Sequence, residues 1–447
     1  MSEQPVLRKN HVYQVEIDAL SHEGRGLATL AGQRIFIEGA LPGETVKIKL
    51  INKKKKIWSA LTEEVITSAP DRQKPPCAAA DICGGCSLQH MTLDAQHKMK
   101  QDTLKQQLSH FGQCNVETLE PVLKGDTLGY RKKARLGVRF VPKKEKVLVG
   151  FREKSSNFLA DMSQCEVLDP RVGHNIVALQ ELIAGLDAKK TIPQIEVAAS
   201  ADEVALVFRH LEPLSESDQQ AILAFCQEHN YQLFYQPQGP ATVHRVWPEQ
   251  DGDPRLHYKL DDIKLAFHPM DFTQVNASIN EQMIVRAIEW LQLTKEDQVL
   301  DLFCGLGNFT LPLAQKARMV IGVEGSDAMV ERGYENLKNN NLDNGDFFAA
   351  DLFDEDSLKV VPWERFSDEP VKVLLDPPRS GAEAVCKQLI NKPVERIVYV
   401  SCNAATLARD TAILLEGGFT CEKAGMMDMF PHTHHMESIA LFTREKA

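Results

Sequence analysis

The spacing of apolar positions changes three times along the chain. Within residues 1–69, short runs at Val12/Val15/Ile17, Ile35–Ile37 and Val46/Ile48/Leu50 are punctuated by Gly24, Gly26, Gly32, Gly39, Pro42 and Gly43. Brief β-rich runs with a turn every ten or so residues predict a small β-barrel. Pro70–Pro76 reads as a linker. Over 94–111, Met99, Leu104, Leu108 and Phe111 fall at helical spacing and predict an amphipathic helix. Between 130 and 270, strand-like runs (Arg135–Phe140, Val147–Phe151, Ile195–Ala199, Val204–Phe208) mix with helical stretches (Gly173–Leu186, Ser217–His229), an α+β pattern. From about 270 the rhythm becomes regular. Strands are expected at Val299–Phe303, Met319–Val323, Phe347–Ala350, Val371–Leu375, Arg396–Ser401 and Ser438–Phe442, with helices between most of them. That alternation predicts a doubly wound parallel α/β sheet of Rossmann-like type. The expected organisation is therefore multidomain: a barrel at 1–69, a central α+β domain at 70–270 and an α/β domain at 271–447.

Charge changes this picture. The whole chain carries 51 basic and 62 acidic side chains, a net −11, which by itself argues against a polyanion partner. The deficit is local. Residues 271–447 hold 17 Lys/Arg against 28 Asp/Glu, or −11, whereas 1–75 hold 12 against 9 and 124–154 hold 11 against 3, or +3 and +8. Lys53–Lys56 followed by Trp58, and the run Arg131, Lys132, Lys133, Arg135, Arg139, are candidate phosphate-contacting faces, although solvated lysines need no partner. No apolar run reaches membrane-spanning length, and Met1–Pro5 lack the features of a signal peptide, so a cytoplasmic protein is expected. A monomer is a separate expectation.

Candidate chemistry concentrates at the ends of the C-terminal strands. Asp301-Leu302-Phe303-Cys304-Gly305-Leu306-Gly307-Asn308 reads as strand, tight glycine turn and helix start, where a backbone can approach a ligand closely. Glu324, Asp351 and Asp376 end the next three strands. An acid at the second strand end suits ribose hydroxyls, and one at the third suits an adenine amino group. Any one of these acids also suits a helix N-cap; the series suits a ligand site. Ser401-Cys402-Asn403 follows the fifth strand at the same edge, and Pro431-His432-Thr433-His434-His435-Met436-Glu437 lies near the C-terminus. The histidine spacing is not that of a zinc protease. Cys77, Cys83 and Cys86, with Gly84-Gly85 between the last two, form a tight group, with Cys165 far downstream. Four thiolates hold either zinc or an iron–sulfur cluster, and the spacing does not choose.

The glycine turn and the acidic strand ends resemble the S-adenosylmethionine-dependent methyltransferases. Asp376-Pro377-Pro378-Arg379, Ser401-Cys402-Asn403, the His432-x-x-His435-Met436-Glu437 segment and Phe272-Thr273-Gln274-Val275-Asn276 together resemble the RNA uracil-C5 methyltransferase family. The resemblance implies Cys402 as nucleophile toward uracil C6, Glu437 as the base that removes the C5 proton, and Asp376 as a group holding base and cofactor. It further implies that Gln274, Phe303, Asn308, Glu324, Asp351 and Asp376 hold S-adenosylmethionine. The turn Ser21-His22-Glu23-Gly24-Arg25-Gly26-Leu27-Ala28 resembles that of the TRAM domain, an OB-like RNA-binding barrel. Barrel and cysteine group together resemble the branch acting on 23S ribosomal RNA, whose target is uracil-1939. That branch implies a [4Fe–4S] cluster on Cys77, Cys83, Cys86 and Cys165. The other readings are the same chemistry on another rRNA or tRNA uridine, and a non-catalytic iron–sulfur RNA-binding protein.

Overall fold

The computed structural model describes residues 6–116, 119–249, 255–366 and 370–444; Met1–Pro5, read above for a leader, lie outside the described residues. Six strands between Val12 and Thr67 form one sheet, in which Thr45–Lys54 and Ile57–Thr67 are the two longest strands and pair with each other. Alternate residues of these strands (Val15, Ile35, Ile37, Val46, Ile48, Ala60) meet in a single apolar cluster, which requires the sheet to curl on itself. Trp58 belongs to that cluster, 5% exposed, with its Nε1 donating to Gln33 Oε1 at 3.1 Å. It is therefore a core residue and offers no stacking face, although Lys53–Lys56 beside it are exposed at the hairpin end. The 70–76 segment is not loose: Arg72 donates to the Gly39 carbonyl at 2.6 Å and to Glu44 Oε2 at 2.8 Å, clamping it to the barrel.

The central sheet has six strands, with Gln194–Ala199 between Lys133–Val141 and Val204–Arg209. Helices Ile176–Gly185 and Glu216–Glu228 pack on it. The basic run expected to face RNA is partly consumed here. Lys132 pairs with Asp169 at 2.8 Å, Arg135 pairs with Glu196 at 2.6 Å, and Lys133 donates to the Asp271 carbonyl, its burial pushing its pKa down to about 8.

The C-terminal sheet carries the site. Its own strands are β1 (Gln298–Leu302), β2 (Met319–Glu324), β3 (Gly345–Ala349), β4 (Val371–Leu375), β5 (Val394–Ser401), β6 (Thr420–Met427) and β7 (Glu437–Thr443). They lie in the order β3-β2-β1-β4-β5-β7-β6, and Glu120–Leu123 adds an eighth strand beside β6. The first five are parallel, as expected, with the reversal of order between β1 and β4. β7 departs from the expectation: it runs antiparallel to β5 and β6, because a short loop and not a crossover helix joins β6 to it. Alternate residues of β1 feed opposite cores: Val299 one face, Leu300 and Leu302 the other. The helix Leu93–His110 and the hairpin Leu256–Leu260/Ile263–Phe267 pack onto these two cores although they precede residue 271. Among the described residues no helix is long and apolar enough to cross a membrane.

Candidate active site

The parallel strands point their carboxyl ends at one cavity of about 590 Å³, beside the order reversal where open α/β sheets bind ligands. After β1 the chain turns through Phe303 at φ +64°, Gly305 at φ +57° and Gly307 at φ +98°. A Cβ on Gly307 would lie 2.5 Å from the Leu311 side chain, so only glycine lets the turn close this tightly. Phe303 holds a left-handed conformation that costs a non-glycine residue energy, a feature that concentrates at functional sites. Its ring faces Phe353, with centroids 5.9 Å apart, at the cavity wall.

Gln274, Phe303, Asn308, Glu324, Asp351 and Asp376 all line this cavity, together with Cys402 and Glu437. Glu324 accepts from the backbone N–H of Gly305 at 3.1 Å and of Ser326 at 3.2 Å, fixing the turn to the end of β2. Asp376 accepts from Gln274 Nε2 at 3.3 Å. Asn308 accepts from Tyr258 Oη at 2.9 Å and exchanges amide bonds with Asn280. Asp301, the first of the four strand-end acids in the sequence, does not reach the cavity. It lies inside β1, fully buried, and accepts from Thr310 Oγ1 at 2.6 Å; burial pushes its pKa up to about 8. The acid sits one residue before the strand end, so its side chain points into the core.

Cys402 follows β5 and precedes the helix Ala404–Glu416, whose N-terminus Asn403 caps by accepting from Ala405 N at 3.1 Å. The Asn403 amide also donates to the Arg379 carbonyl at 3.0 Å, so the loops after β4 and β5 are tied together. Burial, then Glu437 and Asp376, push the Cys402 thiol up to about 11, while Arg379 opposes them. Burial and Asp376 hold Glu437 well above the usual carboxylate range, again against Arg379. Burial lifts Asp376 to about 7, restrained by the Gln274 hydrogen bond. One thiol and two carboxyls thus share one pocket, and each disfavours the ionisation of the others.

Arg379, His435, Phe353 and Phe430 line the cavity without having been singled out. The first two stand inside quoted motifs, which was the available signal. Arg379 Nη2 lies 3.2 Å from His435 Nδ1, and His435 packs on His434 with ring centroids 4.2 Å apart.

The four cysteines Cys77, Cys83, Cys86 and Cys165 surround a second cavity of about 270 Å³, which shares Arg379, Phe430 and His435 with the first. All four are buried free thiols, and burial pushes Cys86 up to about 12 and Cys165 to about 11. Among the described residues no set of three or more His, Cys, Asp or Glu side chains is gathered closely enough to hold a metal ion. Cys114, Cys226, Cys304 and Cys386 are buried in the apolar cores, and Cys421 packs at the edge of one.

A family model described as tRNA (Uracil-5-)-methyltransferase matches residues 92–445. The chain belongs to that family. This uracil-C5 methyltransferase carries a TRAM domain, matched over residues 7–57. A protein of Alcanivorax borkumensis called 23S rRNA (uracil(1939)-C(5))-methyltransferase is 50% identical over 432 residues, covering 96% of each chain. Proteins of the same name from Hahella chejuensis (50% over 438 residues, 96% of each chain) and Francisella tularensis subsp. novicida (47% over 443 residues, 98% of each chain) are also similar. Among solved structures, the Pyrococcus abyssi tRNA (uracil-54, C5)-methyltransferase with S-adenosyl-L-homocysteine superposes with a TM-score of 0.74. It is 24% identical, covers 96% of this chain and 99% of its own, and shows a shared fold.

Proposed function

We propose that the protein transfers a methyl group from S-adenosylmethionine to C5 of a uridine in 23S ribosomal RNA, uracil-1939 in the relatives' numbering, to give 5-methyluridine. The observation that carries this reading is one cavity holding a thiol, a buried carboxylate and a glycine turn that admits a ligand to the backbone. The name shared by relatives of about half identity over nearly the whole chain supports the RNA.

S-adenosylmethionine, when bound, supplies a methyl group on a cationic sulfur. Its fit rests on the cavity itself: acidic side chains suit a cation, Glu324 stands at the end of β2 where ribose hydroxyls reach, and Phe303 and Phe353 offer apolar faces. Gln274, Asn308, Asp351 and Asp376 complete the assigned set. C5 of uracil is a weak nucleophile, and the target base must leave its stack to reach the pocket. Cys402 as thiolate adds to C6, and the C5–C6 π pair becomes a C5 enolate that would take the methyl carbon as the donor's carbon–sulfur bond breaks, its electron pair staying on the sulfur of the departing S-adenosylhomocysteine. Glu437 as carboxylate then takes the C5 proton. The C–H pair re-forms the C5–C6 double bond as the sulfur–C6 bond breaks and returns the thiolate to Cys402. A methyl has replaced a proton, which Glu437 now holds, and the thiolate is regenerated. Arg379 is the cation that favours the thiolate, and Asp376 holds the base beside the Gln274 amide.

Cys77, Cys83, Cys86 and Cys165 are assigned to a [4Fe–4S] cluster. The support is four unpaired buried thiols around one cavity, a donor set typical of such clusters. Bound there, the cluster would join the Cys77–Cys86 loop to the central domain at Cys165. The domain limits are taken as 1–69, 70–270 and 271–447, and the protein as a cytoplasmic monomer.

The test measures tritium release from C5-labelled 23S rRNA. Native protein should release it and Cys402→Ala should not, while still binding S-adenosylmethionine. Retained turnover in Cys402→Ala would remove the nucleophile assignment. Release from tRNA and not from rRNA would move the substrate to the RNA named for the Pyrococcus structure.

A further inference from the structure

The loop between β6 and β7 carries Phe430 and His435 to the catalytic cavity and ends at Glu437. Its anchors are not on its own strands. Lys100, 0% exposed in the middle of the helix Leu93–His110, places its ammonium 2.7 Å from Asp428 Oδ1 and 3.1 Å from the Phe430 carbonyl. His97, on the same helix, reaches the other Asp428 oxygen at 2.8 Å. Directly before His97, Gln96 Oε1 accepts from His432 N at 2.9 Å. At the far end of the loop, Leu88 N donates to the His432 carbonyl at 2.9 Å, and Ser87 Oγ accepts from His434 N at 3.1 Å. His432 itself sits at φ +65°, a conformation that these outside contacts must maintain.

A buried lysine costs desolvation, and a tightly packed apolar pair would stabilise the fold as well or better. The pair instead fixes a carbonyl and a carboxylate on a loop that leads to the base. We propose that Lys100 is a positioning residue for proton removal: through Asp428, and with Ser87 at the loop's other end, it sets the place of Glu437 against C5. The inference rests on the methyl-transfer reading above and adds residues that touch neither RNA nor cofactor. It also gives the cysteine loop a route to the base, since Ser87 follows Cys86 directly.

The test separates two steps of the reaction. Covalent RNA–protein complex on a denaturing gel reports addition of Cys402 to C6. Tritium release from a C5-labelled 23S rRNA fragment reports removal of the C5 proton, in which the C–H pair expels the Cys402 sulfur. The full-length variant Lys100→Met/Asp428→Asn removes the Lys100 and Asp428 charges together and leaves His97 a side-chain amide as its partner. It is expected to melt close to the native protein and to form the complex at the native rate. Its kcat for tritium release should fall about ten- to a hundredfold at similar KM, as a misplaced catalytic group does, with complex accumulating. A folded double variant with native kcat, or one losing addition and release in parallel, would overturn the proposal. Ser87→Ala removes a partly buried hydroxyl and should raise the complex-to-product ratio a few-fold. If the double variant fails to fold, an unchanged ratio in Ser87→Ala overturns the proposal alone. No release from native protein would instead strike the methyl-transfer reading itself.

Discussion

Binding of the methyl donor should depend on pH in a way that its demethylated product does not share. Asp376 in the free protein titrates at about 7, because burial disfavours its charge. A sulfonium beside it favours the ionised form, so donor binding should expel a proton wherever Asp376 is still protonated. The sign follows: raising the pH ionises Asp376 beforehand and strengthens binding. With a titration at about 7, about a tenth of the molecules are ionised at pH 6 and about nine tenths at pH 8. Affinity for S-adenosylmethionine should therefore rise up to about tenfold between those values and level off above them. S-adenosylhomocysteine has the same amine, carboxylate and adenosine but no sulfonium, so its affinity should change far less. Isothermal titration with both ligands from pH 5.5 to 8.5, in buffers of differing ionisation enthalpy, measures the affinity ratio and the protons released. A ratio flat across that range would refute the reasoning, and Asp376→Asn should flatten it.

Glu437→Gln cannot take the C5 proton, so it should accumulate a covalent RNA–protein complex on denaturing gels; normal product at a normal rate would exclude it as the base. Gly307→Ala should weaken S-adenosylhomocysteine binding by at least tenfold and lower the melting temperature, because the added methyl meets Leu311 at 2.5 Å on a backbone at φ +98°. Calorimetry and thermal melting check both. Anaerobically purified native protein should be brown, absorbing at roughly 400 nm as thiolate-bound clusters do, and Cys165→Ser should lose most of that band and its iron. Colourless protein with one zinc per chain would replace the cluster.

Much of the catalytic half was legible because its strands are short, fully apolar and end in chemistry. β1, β2, β4 and β5 come within two residues of their expected limits. β6 escaped because Thr420-Cys421-Glu422-Lys423 exposes polar side chains to one side, and only its last four residues are buried. The strand Glu120–Leu123 escaped because a four-residue edge strand has no periodicity to detect. Asp301 misled because one residue decides which face of a strand a side chain takes. Trp58 misled for a related reason: a run of lysines announces surface, but the next strand residue but one points inward. The residues of the site were visible as motifs. That Lys100, more than 300 residues away in sequence, grips their loop was not, because a lysine on a charged helix reads as solvated until the partner is placed over it.

The eighth strand of the catalytic sheet has a consequence for how this chain is made. Glu120–Leu123 leaves the ribosome early, yet its neighbour β6 follows about 300 residues later, which at 5–20 residues per second is roughly 15 to 60 seconds. Through that interval the segment and the helix before it wait without their final surface. The catalytic half is then closed by a piece of chain borrowed from its own beginning. A fragment cut at residue 271 would be born with an open sheet edge and an uncovered apolar face, inviting another chain to fill both.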